Sequence, residues 1–158
     1  MKKYLKFISA GLALIGFIMM FFNQVTVEWF SKTKEVLDFH ALVGGTYPHN
    51  GTQYNGVGSG LAGYILLVAG ALLILVTVLV AYFREHDVLS TVVTGAGVIC
   101  MIVGIILIFL IRKNFADANI AGEATVYVGW AAITAGSCGG LAILAGALGM
   151  VFDLAGNN

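Results

Sequence analysis

The chain has 158 residues, of which 59% are hydrophobic and only 10% charged, and its eight basic and eight acidic residues cancel. Soluble domains carry charge on roughly 25% of their residues, so an ordinary soluble domain is excluded. Net neutrality leaves no basic footprint for nucleic acid, and the length suits one compact unit rather than two.

The charge is confined to short intervals. No Asp, Glu, Lys or Arg occurs in Phe7–Phe22, Ser59–Phe83, Val88–Ile111 or Ala124–Phe152. A charge-free apolar run of roughly 18 or more residues crosses the hydrocarbon layer as a helix. The first run reaches that length if Lys6 snorkels and Asn23 and Gln24 lie at the interface. The chain is therefore predicted to be an all-α integral membrane protein, a left-handed bundle of four transmembrane helices. The spans fall at about 5–23, 58–83, 88–111 and 124–152, with loops 24–57 and 112–123. "MKKYLK" could begin a cleaved signal peptide, but no small-x-small site follows "FIMMFFNQVTVEW", which favours a retained helix.

The 34-residue first loop is longer than a plain connection needs, and is expected to be partly structured over the bundle mouth. "VTVEWF" alternates like a strand, with Trp29 and Phe30 placed for the membrane interface. "SKTKEVLDFHALV" has the pattern of a short amphipathic helix presenting Val36, Leu37, Phe39 and Leu42, with Ser31 or Thr33 as cap. "GGTYPHNGTQYNGVGSG" is turn-forming, and Asn50-Gly51-Thr52 fits a glycosylation sequon. Trp29, Phe30, Phe39, His40, Tyr47, His49 and Tyr54 are the candidate partner contacts. His40 and His49 with Asp38 or Glu35 fall short of a closed metal set, so no metal is expected. His86, in the "REHD" turn, reads as a surface residue.

Gly58, Gly60 and Gly63 match G-x-G-x-x-G, the dinucleotide fingerprint. That chemistry needs a preceding strand and an acidic residue some twenty positions on, within a βαβ unit. Here a membrane helix follows, with no acidic residue before Glu85, so no nucleotide or other cofactor is expected. The spacing fits helix packing instead: Gly56, Gly63 and Gly70 recur every seven residues. Ser90, Thr94, Gly97 and Gly104 follow the same frame in the third span, interrupted by Met101, and Ser9, Ala13 and Gly16 do so in the first. In the fourth, Ala132, Ala135, Gly139, Ala142, Gly146 and Gly149 alternate steps of three and four. Such a seam keeps small residues against a neighbour in a left-handed bundle. Gly136 and Gly140 form a G-x-x-x-G on an adjacent face, suited to a second contact within the chain or between copies.

Candidate chemistry is thin. All charged residues and histidines are expected in loops or at helix ends, which disfavours ion-coupled transport. Ser137 and Cys138 have no base in their span, so both read as packing residues, and Cys100 and Cys138 as free thiols. No catalytic set is predicted. The leading expectation is a non-enzymatic multi-pass protein that works through helix packing and loop-mediated partner binding. Its partners would be the lipid bilayer and either further copies of itself or another membrane protein. The alternative is a small channel for a neutral solute lined by Thr77, Thr91, Thr94, Thr134 and Ser137. A membrane enzyme, third, would need Asp38, His40 and His49 to converge.

Basic residues tie at four on each side, and the three lysines before the first span favour cytoplasmic termini in a cell membrane. The layout of a long first external loop with strand character, a short cytoplasmic turn and a smaller second loop resembles the claudin and peripheral-myelin type of four-span protein. The resemblance implies a four-helix fold whose first loop carries recognition. It is architectural: the family's Trp…Gly-Leu-Trp…Cys…Cys signature is absent, since Trp29 is the only loop tryptophan and the loops have no cysteine.

Overall fold

A segment in lipid must satisfy its backbone hydrogen bonds internally, and the four uncharged runs do so as helices. The computed structural model describes residues 2–30, 33–46, 53–83, 87–120 and 124–155. Among these, four helices are long and apolar enough to cross a membrane: α1 (Lys2–Ile18, prolonged by a 3-10 turn to Phe21), α3 (Gly58–Phe83), α4 (Asp87–Phe109) and α6 (Trp130–Ala155). The chain is a multi-pass membrane protein by these spans. The helices form a ring in which α1 meets α3 and α6, and α4 meets the same two.

Small residues bring the backbones together. A Cβ placed on Gly70 would lie 2.6 Å from the Gly97 carbonyl oxygen, and one on Gly97 would lie 2.8 Å from that of Gly70. Gly63 and Gly104 repeat this reciprocal approach at 2.7 Å each way. Across the other seams, a Cβ on Gly16 would stand 3.2 Å from the Ala135 carbonyl oxygen. Gly146 faces Ser9 and Val98, Gly149 faces Lys6, and Gly139 faces Ile105 and Leu67. Ala132, Ala135 and Ala142 are fully buried. Gly136 makes room for the Phe109 ring, whereas nothing lies near Gly140, so the G-x-x-x-G does not form one continuous contact within the chain.

The loops depart most from expectation. β1 (Val25–Trp29) forms where alternation predicts it, but β2 (Lys34–Leu37) occupies the middle of the predicted amphipathic helix, of which only α2 (His40–Val43) is helical. An isolated helix of that length is marginal, and pairing with β1 in the register Val25↔Leu37 to Glu28↔Lys34 supplies more bonds. A hairpin of β3 (Gly44–Thr46) and β4 (Gln53–Asn55) follows. Gly44 takes φ 78°, a left-handed backbone that glycine adopts without strain.

The second connection is not a loop from 112 to 123. It begins with a separate helix, α5 (Ile111–Asn119), which follows α4 after a single turn residue, Leu110, whose N–H donates to Ile106 O (3.1 Å) and whose carbonyl accepts from Asn114 N–H (3.0 Å). Ile111 and Phe115, both fully buried, give it an apolar stripe. The last span begins at Trp130 rather than 124, because Ala124–Val128 is a strand, β5, antiparallel to β1. One sheet of order β2-β1-β5 therefore joins the two loops.

Candidate functional site

The sheet has two unlike faces because successive side chains alternate. Val25, Val27, Leu37 and Val126 point inward and are buried. Opposite residues in an antiparallel ladder share a face, so the register places Tyr127, Thr26 and Val36 in one outward row and Thr125, Glu28 and Lys34 in the next. The second row carries a Lys34–Glu28 ion pair at 3.8 Å. In the first, Tyr127 and Val36 are about half exposed, and Phe30, just past β1, is 79% exposed. Sequence reasoning missed Val36 and Tyr127, the first assigned to a helix and the second to a membrane span. No local signal finds them, because Val36 and Tyr127 become strand residues only through pairing with β1.

The predicted contact residues divide. Phe30 lies at the sheet rim. Trp29 is half-buried against the core, not free at an interface, and its Nε1 has no acceptor among the described residues. Phe39 is half-buried against Phe21, ring centroids 5.7 Å apart. Tyr54 is buried, stacks on Phe115 at 5.5 Å and donates its hydroxyl proton to Glu35, tying β4 to β2. Tyr47 and His49, with the sequon and His86, lie outside the described residues.

His40 does not converge with a nucleophile or with a metal set; no group of three possible metal ligands occurs among the described residues. Its Nδ1 lies 2.8 Å from Asp38 Oδ1, and its backbone N–H donates to the same oxygen at 3.1 Å. Partial burial pushes the Asp38 carboxyl up, but the hydrogen bonds and charge of His40 outweigh it and hold the carboxyl below the usual aspartate range. A depressed carboxylate lends stability above its unfolded pKa and loses it as pH falls through the folded value. His40→Ala is expected to raise the Asp38 titration midpoint, read by carboxyl carbon NMR shifts; an unchanged midpoint contradicts this account.

Beneath the sheet, Gln24 is a fully buried polar node. Its Nε2 donates to Met19 O (2.7 Å) and Phe22 O (3.0 Å), while its Oε1 accepts from the Tyr64 hydroxyl at 2.7 Å. Its backbone N–H donates to Leu37 O at 2.7 Å, and its carbonyl accepts from Gly129 N–H at 2.8 Å. One residue thus links α1, β2, α3 and the start of α6. Gln24 was expected merely at the interface. Tyr64→Phe removes a donor from a buried acceptor, so a loss of about 1–2 kcal/mol is expected in detergent unfolding. A change below a few tenths would remove Gln24 from this role.

On the other side of α5, Asn55 and Asn119 exchange backbone–side-chain bonds, and Asn114 donates to Ser59 at 2.7 Å. These bonds tie β4 to α5 and α5 to α3.

At the terminal end of the bundle two charged residues that were expected to face water are buried instead. α6 continues through Ala155, so Asp153 is not part of a cytoplasmic tail, and Lys6 does not snorkel outward. Both are buried and form an ion pair, and Lys6 also donates to Ser90 Oγ at 2.8 Å. The hydroxyls continue inward only briefly: Thr94 donates to Ser90 O at 2.7 Å and lies 3.3 Å from Thr77, which donates to Ile74 O. Between this cluster and Tyr64, the fully buried Leu67, Ala71, Ile74 and Met101 fill the core. Thr134 and Ser137 bond back to carbonyls of their own helix, Trp130 and Ile133. Of the candidate lining hydroxyls, Thr77 and Thr94 thus meet in this cluster, while Thr134 and Ser137 are each bonded within their own helix. Cys100 and Cys138 are free thiols.

No protein-family model matches this chain, and no curated protein or solved structure shows significant similarity to it.

Proposed function

We propose that this chain is a non-enzymatic assembly or accessory subunit of a cell membrane, whose β2-β1-β5 platform binds a partner protein. The observation that carries the reading is the join between the two loops. The sheet presents Tyr127, Thr26 and Val36 with Phe30 at the rim, outside the four spans. Large apolar side chains exposed together on a small platform mark an interaction site. The side-chain-filled core beneath favours a support over a conduit. The three-four spacing of the small-residue seams suits left-handed crossing. The lysines before the first span favour cytoplasmic termini, with the platform external. The open surface at Gly140 offers a place for a second copy.

The test is purification from native membranes in mild detergent with mass measurement of the complex. The wild-type chain is expected to carry a partner or a second copy. Tyr127→Ala with Phe30→Ser is expected to release a platform-bound partner, and Gly140→Leu to dissociate a self-associated form. A strictly monomeric chain that retains nothing would overturn the reading.

A further inference from the structure

The two successive helices α4 and α5 together are longer than a bilayer requires. Asp87–Phe109 alone extends about 35 Å at 1.5 Å per residue, enough for a hydrocarbon thickness of roughly 30 Å, and α5 follows beyond it. The apolar span ends at Phe109, so α5 stands in the headgroup layer. There a groove of about 350 Å³ is lined by Phe109, Arg112, Lys113, Ala116 and Asp117. These positions follow steps of three, one, three and one, which is one face of a helix.

Along that face the chemistry changes in a definite order. Phe109, half exposed, lies at the hydrocarbon edge, held against α6 by the space that Gly136 leaves. Arg112 and Lys113 come about 4–6 Å higher by helical rise, the depth of the phosphate layer, which begins beyond the hydrocarbon. Asp117 comes one further turn outward. All three charged side chains are exposed, and none makes an ion pair among the described residues. The order apolar, cationic, anionic mirrors a phospholipid whose phosphate is followed by an ammonium.

We infer that this groove seats the headgroup of phosphatidylethanolamine from the bilayer leaflet around α5. Arg112 and Lys113 hold the phosphate by charge-assisted hydrogen bonds, Phe109 lies against the glycerol and upper acyl region, and Asp117 accepts from the primary ammonium. A choline headgroup has no N–H to donate, and a glycerol headgroup has no cation for Asp117. The ethanolamine lipid is therefore preferred over both. This inference rests on the membrane spans and is independent of the partner-binding reading.

The full chain, reconstituted in nanodiscs of equal phosphatidylethanolamine, phosphatidylcholine and phosphatidylglycerol, would be released for native mass spectrometry and its retained lipids counted. The ethanolamine lipid is expected to be enriched severalfold. The double variant R112Q/K113Q is expected to lose bound lipid of every class. D117N is expected to keep bound phospholipid but lose the preference for ethanolamine over choline. These side chains are exposed, so all variants should unfold at the wild-type temperature. Equal retention of the ethanolamine and choline lipids by the wild type overturns the proposal, as does full retention by R112Q/K113Q. Displacement of the lipid by millimolar inorganic phosphate would identify a simple anion site and overturn it too.

Discussion

Gly70→Leu is expected to prevent α3 and α4 from closing, so that little folded protein is recovered from membranes. The Gly70 and Gly97 positions each face the other's carbonyl oxygen, at 2.6 and 2.8 Å from a hypothetical Cβ. Neither contact can be relieved by turning a side chain, because the obstacle is backbone. Even Gly70→Ala must push the helices apart, at a cost of about 1–3 kcal/mol by analogy with overpacked cores. Gly63→Ala meets the Gly104 carbonyl in the same way. One outward shift of α4 relieves both clashes, so Gly63→Ala with Gly70→Ala should cost less than the sum of the single changes. Gly11 and Gly140 have nothing within 4 Å of an added Cβ. Both lie within helices, so alanine at either is expected to leave stability unchanged or raise it by up to about 1 kcal/mol. Thermal unfolding in detergent reads all of these. A Gly70→Leu protein that melts with the wild type would show that the α3–α4 seam does not depend on glycine.

The Lys6–Asp153 pair gives the second large effect. It joins residues 147 positions apart and, with Ser90, ties α1, α4 and α6 together at the terminal end of the bundle. Ser9 reinforces the same seam by donating to Ala142 O at 2.7 Å. Removing one member of a buried pair leaves the other charge desolvated, a loss of about 3–5 kcal/mol. Lys6→Ala or Asp153→Ala should therefore destabilise the bundle strongly. Replacing both with apolar residues of similar size, Lys6→Met with Asp153→Leu, removes the desolvation along with the attraction. Such exchanges are often close to neutral, so the double variant is expected to be more stable than either alanine variant. Urea or thermal unfolding in detergent separates the cases. If the double variant is as unstable as the singles, the seam depends on something other than charge pairing.

Each result bears on how the two ends of the molecule divide their work. At the terminal end, an ion pair and hydroxyls close the ring of helices. At the sheet end, Gln24 and Tyr64 join the bundle to a platform built from both loops.

The four spans were legible in the sequence because apolarity over some twenty residues is a local property. The small-residue spacing at Gly63, Gly70, Gly97 and Gly104 was legible for the same reason: helical period alone decides which positions share a face. β1 could be read from its alternation. β5 could not, because "ATVYV" adjoins an apolar helix, and a short apolar run has the same composition in either state. Only the presence of β1 across the fold makes it a strand, and only Gly129, pressed against the Asn23 backbone, lets the chain pass from strand to helix. β2 likewise owes its form to β1, which overrode the helical pattern around Val36 and Leu37. Lys6 and Asp153 each read as an end residue seeking water, since nothing near either in sequence offers it a partner. Tertiary structure brings them together and buries both. What the sequence determined by itself were properties of single segments, set by period and apolarity. Strand pairing, charge burial and the outward row of Tyr127, Thr26 and Val36 depend on groups distant in sequence, and folding had to bring those together.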